Sequence, residues 1–162
     1  MKKIICALLI LIMLCSCSSS KNIRVVNRNL EYNAHIFYFG KEYKMHCSIN
    51  ETLAEYRVVE GQIKGFGAKV DENGIKVCYA NLEKEIKGES NSVFSVMYDI
   101  TLFFDTEGYK TENDGGNYYV DGQTDFGKFR YILSPSGLPI SINFENGDFS
   151  ADFYDVNLKK VE

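Results

Sequence analysis

Residues 30–49 have the sequence LEYNAHIFYFGKEYKMHCSI, and this stretch decides the fold class. In both of its halves apolar and polar residues alternate with a period of two, which predicts β-strands that each bury one face. The break at Gly40 and Lys41 between the two runs predicts a hairpin. The apolar positions are Tyr32, Ala34, Ile36 and Tyr38 in the first run and Tyr43, Met45, Cys47 and Ile49 in the second.

Similar runs continue on the C-terminal side of this hairpin. We expect further strands at residues 54–58, 62–70, 75–80, 117–120, 126–133, 140–145 and 149–156. Two glycines, Gly65 and Gly67, predict a bulge or a sharp bend near the strand that contains them. The pair Asn146-Gly147 lies between two alternating runs and is the strongest short hairpin signal in the chain.

One helix is predicted, from about Ser92 to Asp105. Ser92 can cap its N-terminus, and the helix ends before Gly108. Its sequence is apolar on more than one face, so it needs burial on most sides. Because antiparallel strands joined by short turns curl, a sheet that stays open leaves an apolar concave face, and this helix is the only element predicted to cover it.

The expected fold class is therefore mainly β with one helix. It is a curved antiparallel meander, an incomplete β-barrel, covered by the helix. A cavity between the two layers, lined by aromatic and aliphatic side chains, would suit a lipid. The side chains expected to line it are Phe94, Met97, Tyr98, Phe103 and Phe104. The alternative is that these five side chains only pack in the core.

The first twenty residues have the pattern of an export signal. Lys2 and Lys3 precede an apolar run from Ile4 to Leu14, which is about half of the roughly 20 residues that a spanning helix needs. The stretch from Leu14 to Cys17 resembles the bacterial lipobox, which implies that Cys17 becomes the lipidated first residue of the mature protein. The alternatives are an ordinary secretory signal cleaved near Ser18 and an uncleaved anchor.

The combination of a lipobox, a strand meander, one inserted helix and a closing element from Tyr131 to Phe153 resembles the LolA-like and LppX-like lipoproteins of bacteria. Within that closing element, Gly137-Leu138-Pro139 precedes a strand. The segments 61–66 and 75–82 are also similar to small lipoproteins of this type. The resemblance implies a half-barrel that binds acyl chains of lipoproteins or complex lipids.

Three segments are expected: a lipoprotein signal peptide at residues 1–16, the lipidated cysteine and a tether at 17–29, and a single half-barrel domain at 30–162. At least two acyl chains on Cys17 would hold the protein on the extracytoplasmic face of the cell membrane, or on an outer membrane if the cell has one. Loss of Lys2 and Lys3 with the signal peptide would lower the net charge from −4 to −6. Such an acidic surface disfavours nucleic acid as a partner.

No motif of a hydrolase or metalloprotease occurs, and the chain has only two histidines, His35 and His46, from which a triad could be built. We expect no enzymatic activity, no cofactor and no metal site, with both histidines exposed on strands. Cys47 shares the apolar face of its strand with Tyr43 and Met45, whereas Cys78 alternates with Val77 and Tyr79, which predicts that the two cysteines lie on opposite faces of the sheet. Two separate thiols are therefore expected, and a disulfide is the alternative.

Two functions are compatible with the sequence, of which we expect the first, with the second as the alternative. The first is a membrane-anchored lipoprotein that binds an acyl-chain ligand in the half-barrel cavity. The second is a non-enzymatic envelope module with a filled core that binds another protein, whose identity the sequence does not indicate. The two differ in the volume beneath the helix, because a carrier needs several hundred cubic ångströms there.

Overall fold

The structure is a computed structural model that describes residues 23, 25–71, 73–86, 92–104 and 109–159. Cys17 and the signal peptide lie outside the described residues. The elements, in chain order, are β1 (Leu30–Tyr38), β2 (Lys41–Ile49), β3 (Ala54–Gly61), β4 (Phe66–Asp71), β5 (Gly74–Tyr79), β6 (Leu82–Ile86), α1 (Val93–Phe103), β7 (Glu112–Asp114), β8 (Asn117–Thr124), β9 (Gly127–Leu133), β10 (Pro139–Phe144) and β11 (Phe149–Leu158).

The eleven strands form one antiparallel sheet in the order β6-β5-β4-β3-β2-β1-β11-β10-β9-β8-β7. Strands that follow each other in the chain are neighbours in the sheet, except β6 and β7, which lie at the two edges and are connected by α1. The first and last strands, β1 and β11, pair in the middle of the sheet. Because β6 and β7 do not pair, the sheet stays open. The predicted fold class, an unclosed antiparallel meander with one helix, is confirmed.

The alternation in residues 30–49 produces the two faces of the sheet. In the register of β1 with β2, Ala34 lies opposite Met45 and Ile36 opposite Tyr43, so apolar side chains face each other on one side. Ala34, Ile36 and Met45 are fully buried. We call this side, which packs against α1, the inner face and the opposite side the outer face. The predicted hairpin at Gly40 is confirmed.

The helix α1 begins after Ser92, as expected. The Ser92 hydroxyl accepts a hydrogen bond from the backbone N–H of Ser95 at 3.2 Å and so satisfies one of the free donors of the first turn. The helix ends at Phe103, slightly before the predicted end. Most of its residues are buried against the inner face, as its apolar sequence requires. No helix in the described part of the chain combines the length and apolarity needed to cross a bilayer.

Three details differ from expectation. The edge strands β6 and β7 were not expected, because β6 is rich in charge and β7 has only three residues. The strand expected at residues 62–70 begins at Phe66. Gly65 lies in the preceding turn with a φ of +90°, and Gly67 lies so close to β3 that a Cβ there would be 2.8 Å from the Tyr56 carbonyl oxygen. Gly65 therefore permits the turn, and Gly67 permits β3 and β4 to approach closely, in place of the predicted bulge or bend.

The segment before β1 packs on the domain. Val25 is buried, and its N–H donates to the Tyr109 hydroxyl at 3.1 Å. The Asn27 side-chain amide donates to the Thr101 carbonyl oxygen at 3.2 Å and so joins this segment to the last turn of α1. The described fold therefore lies wholly within the residues that follow Cys17, and protein beginning at Ser18 contains all of it.

Candidate functional site: the space beneath the helix and the outer basin

The five side chains predicted to line a cavity lie in or beside the core beneath α1. Phe94, Met97 and Phe104 are buried, while Tyr98 and Phe103 are half-buried. Met97 and Phe104 border the same small space. The Phe94 ring packs on Tyr56, with centroids 6.3 Å apart, and the Phe103 ring packs on Phe129 at 5.0 Å. Phe94, Tyr98 and Phe103 do not line the space that Met97 and Phe104 border.

The space that Met97 and Phe104 border has a volume of only about 20 Å³. Tyr32, Tyr131 and Phe153 of the sheet close it from below. A second space of about 40 Å³ lies at the other end of α1, beneath Val96 and among aromatic side chains. Pockets for small molecules usually measure about 300–1,000 Å³, so neither space accommodates an acyl chain with α1 in this position.

The inner face also carries polar groups beneath α1. Burial raises the pKa of the Cys47 thiol and of the Tyr32 hydroxyl, so both stay protonated at neutral pH. The buried Tyr56 hydroxyl lies close to Thr101 of α1. The core beneath the helix is therefore not a plain hydrocarbon surface.

A much larger concave space than these two lies on the outer face, across β2 to β5. We call it the outer basin, and its volume is about 550 Å³. It is lined by His46, Ser48, Glu55, Tyr56, Arg57, Gly65, Gly67, Ala68, Lys69, Cys78 and Ala80. The sequence did not reveal it, because its residues come from four strands and two turns that only the folded sheet brings together.

Strand register explains the depth of the outer basin. Gly67 of β4 lies directly between Arg57 of β3 and Cys78 of β5. Because glycine has no side chain, a gap separates the side chains of Arg57 and Cys78 on the outer face. Any larger residue would meet the Tyr56 carbonyl oxygen, so the gap is a consequence of how closely β3 and β4 approach.

Several charged groups around the outer basin are paired. Lys69 contacts Glu83 at 3.5 Å, and His46 contacts Glu31 at 3.3 Å. His46 also forms a hydrogen bond with Asn33 at 3.1 Å. Partial burial, followed by the nearby Glu83 carboxylate, raises the pKa of the Cys78 thiol, which makes it a weak nucleophile at neutral pH.

The cysteines lie on opposite faces, as the alternation predicted, and of the two histidines His35 is exposed while His46 is half-buried. Cys47 is buried on the inner face and Cys78 lies on the outer face, and both thiols are free. His35 lies opposite Lys44 and His46 opposite Asn33, so the two histidines are not cross-strand partners. No group of three or more metal-ligand side chains occurs among residues 25–71, 73–86, 92–104 and 109–159.

The chain matches no known protein family and no curated protein sequence.

Proposed function

We propose that the protein is an extracytoplasmic lipoprotein, anchored through Cys17, whose filled half-barrel binds a partner protein at its surface. One contrast supports this proposal. The spaces beneath α1 hold about 20 and 40 Å³, whereas the outer basin holds about 550 Å³. Of these three spaces, the outer basin is the one large enough for a ligand.

The packing of α1 adds to this argument. Moving the helix off the sheet would expose Phe94, Met97 and Ile100, which are each at most 4% accessible. Each large apolar side chain that leaves the core costs about 1.5–3 kcal/mol. A ligand in the core would have to replace these contacts before it bound with any net affinity.

Acyl-chain binding, the function of the LolA-like and LppX-like lipoproteins, is the second candidate. It is favoured by the two small apolar spaces that lie under the opposite ends of α1, where a chain could begin to displace the helix. In this case a fluorescent fatty acid should bind the protein that begins at Ser18, and Met97→Asp should abolish the binding. Under the first proposal the fatty acid does not bind.

Site-specific photo-crosslinking in cells tests the partner proposal. A photoreactive amino acid is introduced at Lys76, which is exposed on the outer face of β5, or at Lys128, which is exposed on β9 in the other half of the sheet. We expect a discrete protein adduct from position 76 and none from position 128. Equal adducts from both positions, or lipid adducts alone, would contradict the proposal.

A further inference from the structure

A cleft one side chain wide lies within the outer basin, and Gly67 forms its floor. In the register of the sheet Gly67 lies between Arg57 of β3 and Cys78 of β5. The heavy atoms nearest to the position of a Cβ at Gly67 belong to the backbone of Tyr56 and Arg57. The floor of this Gly67 cleft is therefore backbone, and the side chains of Arg57 and Cys78 form its two walls.

The width of the Gly67 cleft suits a flat ring. Arg57 and Cys78 are two strands apart, and neighbouring strands are separated by about 4.7–4.9 Å, so the two walls rise from backbones about 9.5 Å apart. Because carbon atoms in contact lie about 3.5–4.0 Å apart, a ring with one neighbour on each face needs about 7–8 Å. One ring therefore fits between the two walls.

The chemistry of the walls also suits an aromatic ring. The Arg57 side chain is exposed, and its planar guanidinium can stack on the face of a ring. Cys78 is half-buried, and a free cysteine behaves as a small apolar residue with a polarizable sulfur, which suits the other face of the ring.

Two other places in the sheet show similar contacts made by the protein's own rings. The Tyr79 ring lies 3.4 Å from the position that a Cβ of Gly65 would occupy, so it covers that glycine. The Arg130 guanidinium lies over the Tyr119 ring, 5.9 Å from its centroid. The Gly67 cleft combines a bare glycine with a neighbouring guanidinium, and a ring supplied by a partner would complete it in the same way.

The charges around the cleft favour a neutral occupant. Lys69 lies opposite Glu55 in the register of β3 and β4, and it also contacts Glu83 at 3.5 Å. Together with Arg57, these side chains include two positive and two negative charges. A neutral ring meets no like charge here, whereas an ionised side chain would lie near a group of its own sign.

We propose that the Gly67 cleft binds an aromatic side chain of the partner protein, with one face of the ring against the Arg57 guanidinium and the other against Cys78. This inference rests on the proposed partner-binding function, and it identifies the type of residue that the partner places in the outer basin. Aromatic side chains that fill such recesses often supply a large share of the binding energy of an interface.

NMR titration of the ¹⁵N-labelled protein beginning at Ser18 tests this inference. The probes are three nonapeptides of glycine and serine whose central residue is phenylalanine, cyclohexylalanine or serine. Cyclohexylalanine is close to phenylalanine in size but lacks the π-system that attracts a cation. We expect the phenylalanine peptide to bind about two- to five-fold more tightly than the cyclohexylalanine peptide. Its ring current should shift the Gly67 amide and Arg57 Nε–H signals upfield.

Two variants that each remove one positive charge provide the matched comparison. Arg57→Gln should abolish the preference for phenylalanine over cyclohexylalanine, while Lys69→Gln, which changes neither wall of the cleft, should retain it. Both positions are exposed, and unchanged amide spectra elsewhere would verify the fold. Equal binding of the phenylalanine and cyclohexylalanine peptides, an unchanged preference in Arg57→Gln, or no shift at millimolar peptide would overturn the inference. Crosslinking from position 76 decides the proposed function separately, since a protein adduct there does not depend on the peptides.

Discussion

Two cysteines on one sheet have opposite environments. Cys47 of β2 has no accessible surface and lies beneath α1, whereas Cys78 of β5 borders the outer basin. In the native protein beginning at Ser18, Ellman's reagent should therefore modify Cys78 slowly. It should modify Cys47 only after the protein is unfolded in guanidinium. The Cys78→Ser variant should show no reaction while native. A rapid reaction in that variant would mean that the inner face opens readily.

Gly67 offers a second test at the residue scale. Gly67→Ala places a methyl group 2.8 Å from the Tyr56 carbonyl oxygen, which is backbone and cannot move alone. We expect the free energy of unfolding in urea to fall by about 1–3 kcal/mol, as for other overpacked sites. Lys69→Ala, two residues along the same strand, should change it by less than about 0.5 kcal/mol. Equal effects of the two substitutions would contradict the described contact between β3 and β4.

At this scale the sequence predicted burial better than it predicted sites. Alternation placed Ala34, Ile36 and Met45 correctly on the inner face, because burial follows from side-chain period alone. It could not show the outer basin, because the register of β2 to β5 brings the lining residues together. The available signal was the pair of glycines, Gly65 and Gly67, which both line the basin.

Asp99 makes the contact between α1 and the sheet depend on pH. Burial, followed by the nearby Asp125 carboxylate, raises the pKa of Asp99, so ionisation at neutral pH opposes the folded state. The stability due to protonated Asp99 is complete below the ordinary carboxyl pKa of about 3.9 and is lost as the pH rises through the raised value. Asp99→Asn should therefore increase the melting temperature at pH 7.

The size and the pH profile of this effect distinguish it from a change in helix propensity. Because Asp99 is only half-buried, the gain should be below about 1 kcal/mol. It should disappear near pH 3, where Asp99 is protonated in both states. A gain of equal size at pH 3 and pH 7, measured by calorimetry, would show that the charge is not responsible.

The elements differ in how clearly the sequence shows them. α1 was predictable because Ser92 provides a cap and a continuous apolar run follows. β6 and β7 were not, since three of the five residues of β6 are charged and β7 is very short. Charged and short strands are typical of sheet edges, where they discourage pairing with other chains. Propensity rules therefore fail at the two edges that leave this sheet open.

At the scale of the whole molecule, the open sheet with one helix was predicted from alternation and a single apolar run. The volume beneath the helix was not, because it depends on how Phe94, Met97 and Phe104 interdigitate with the sheet. Periodicity predicts which side chains face inward, but it does not predict how completely those side chains fill the interior. The small volume is the reason why we propose an interaction module rather than a carrier.

The proposed anchor leads to a separate prediction. In a bacterium fed with labelled palmitate, the full chain should incorporate the label and sediment with membranes, because two acyl chains bind a bilayer stably. Cys17→Ser should abolish both the labelling and the sedimentation with membranes, while Cys15→Ser should leave the labelling and the sedimentation unchanged. If Cys15→Ser loses the label and Cys17→Ser retains it, the lipid is attached to Cys15, which would contradict the proposed anchor at Cys17.

The most direct test of a filled half-barrel is native mass spectrometry of the protein that begins at Ser18, purified from bacteria without detergent. The account predicts the bare polypeptide mass, because the spaces beneath α1 measure only about 20 and 40 Å³. A stoichiometric lipid adduct that survives purification, and that Met97→Asp removes, would contradict it.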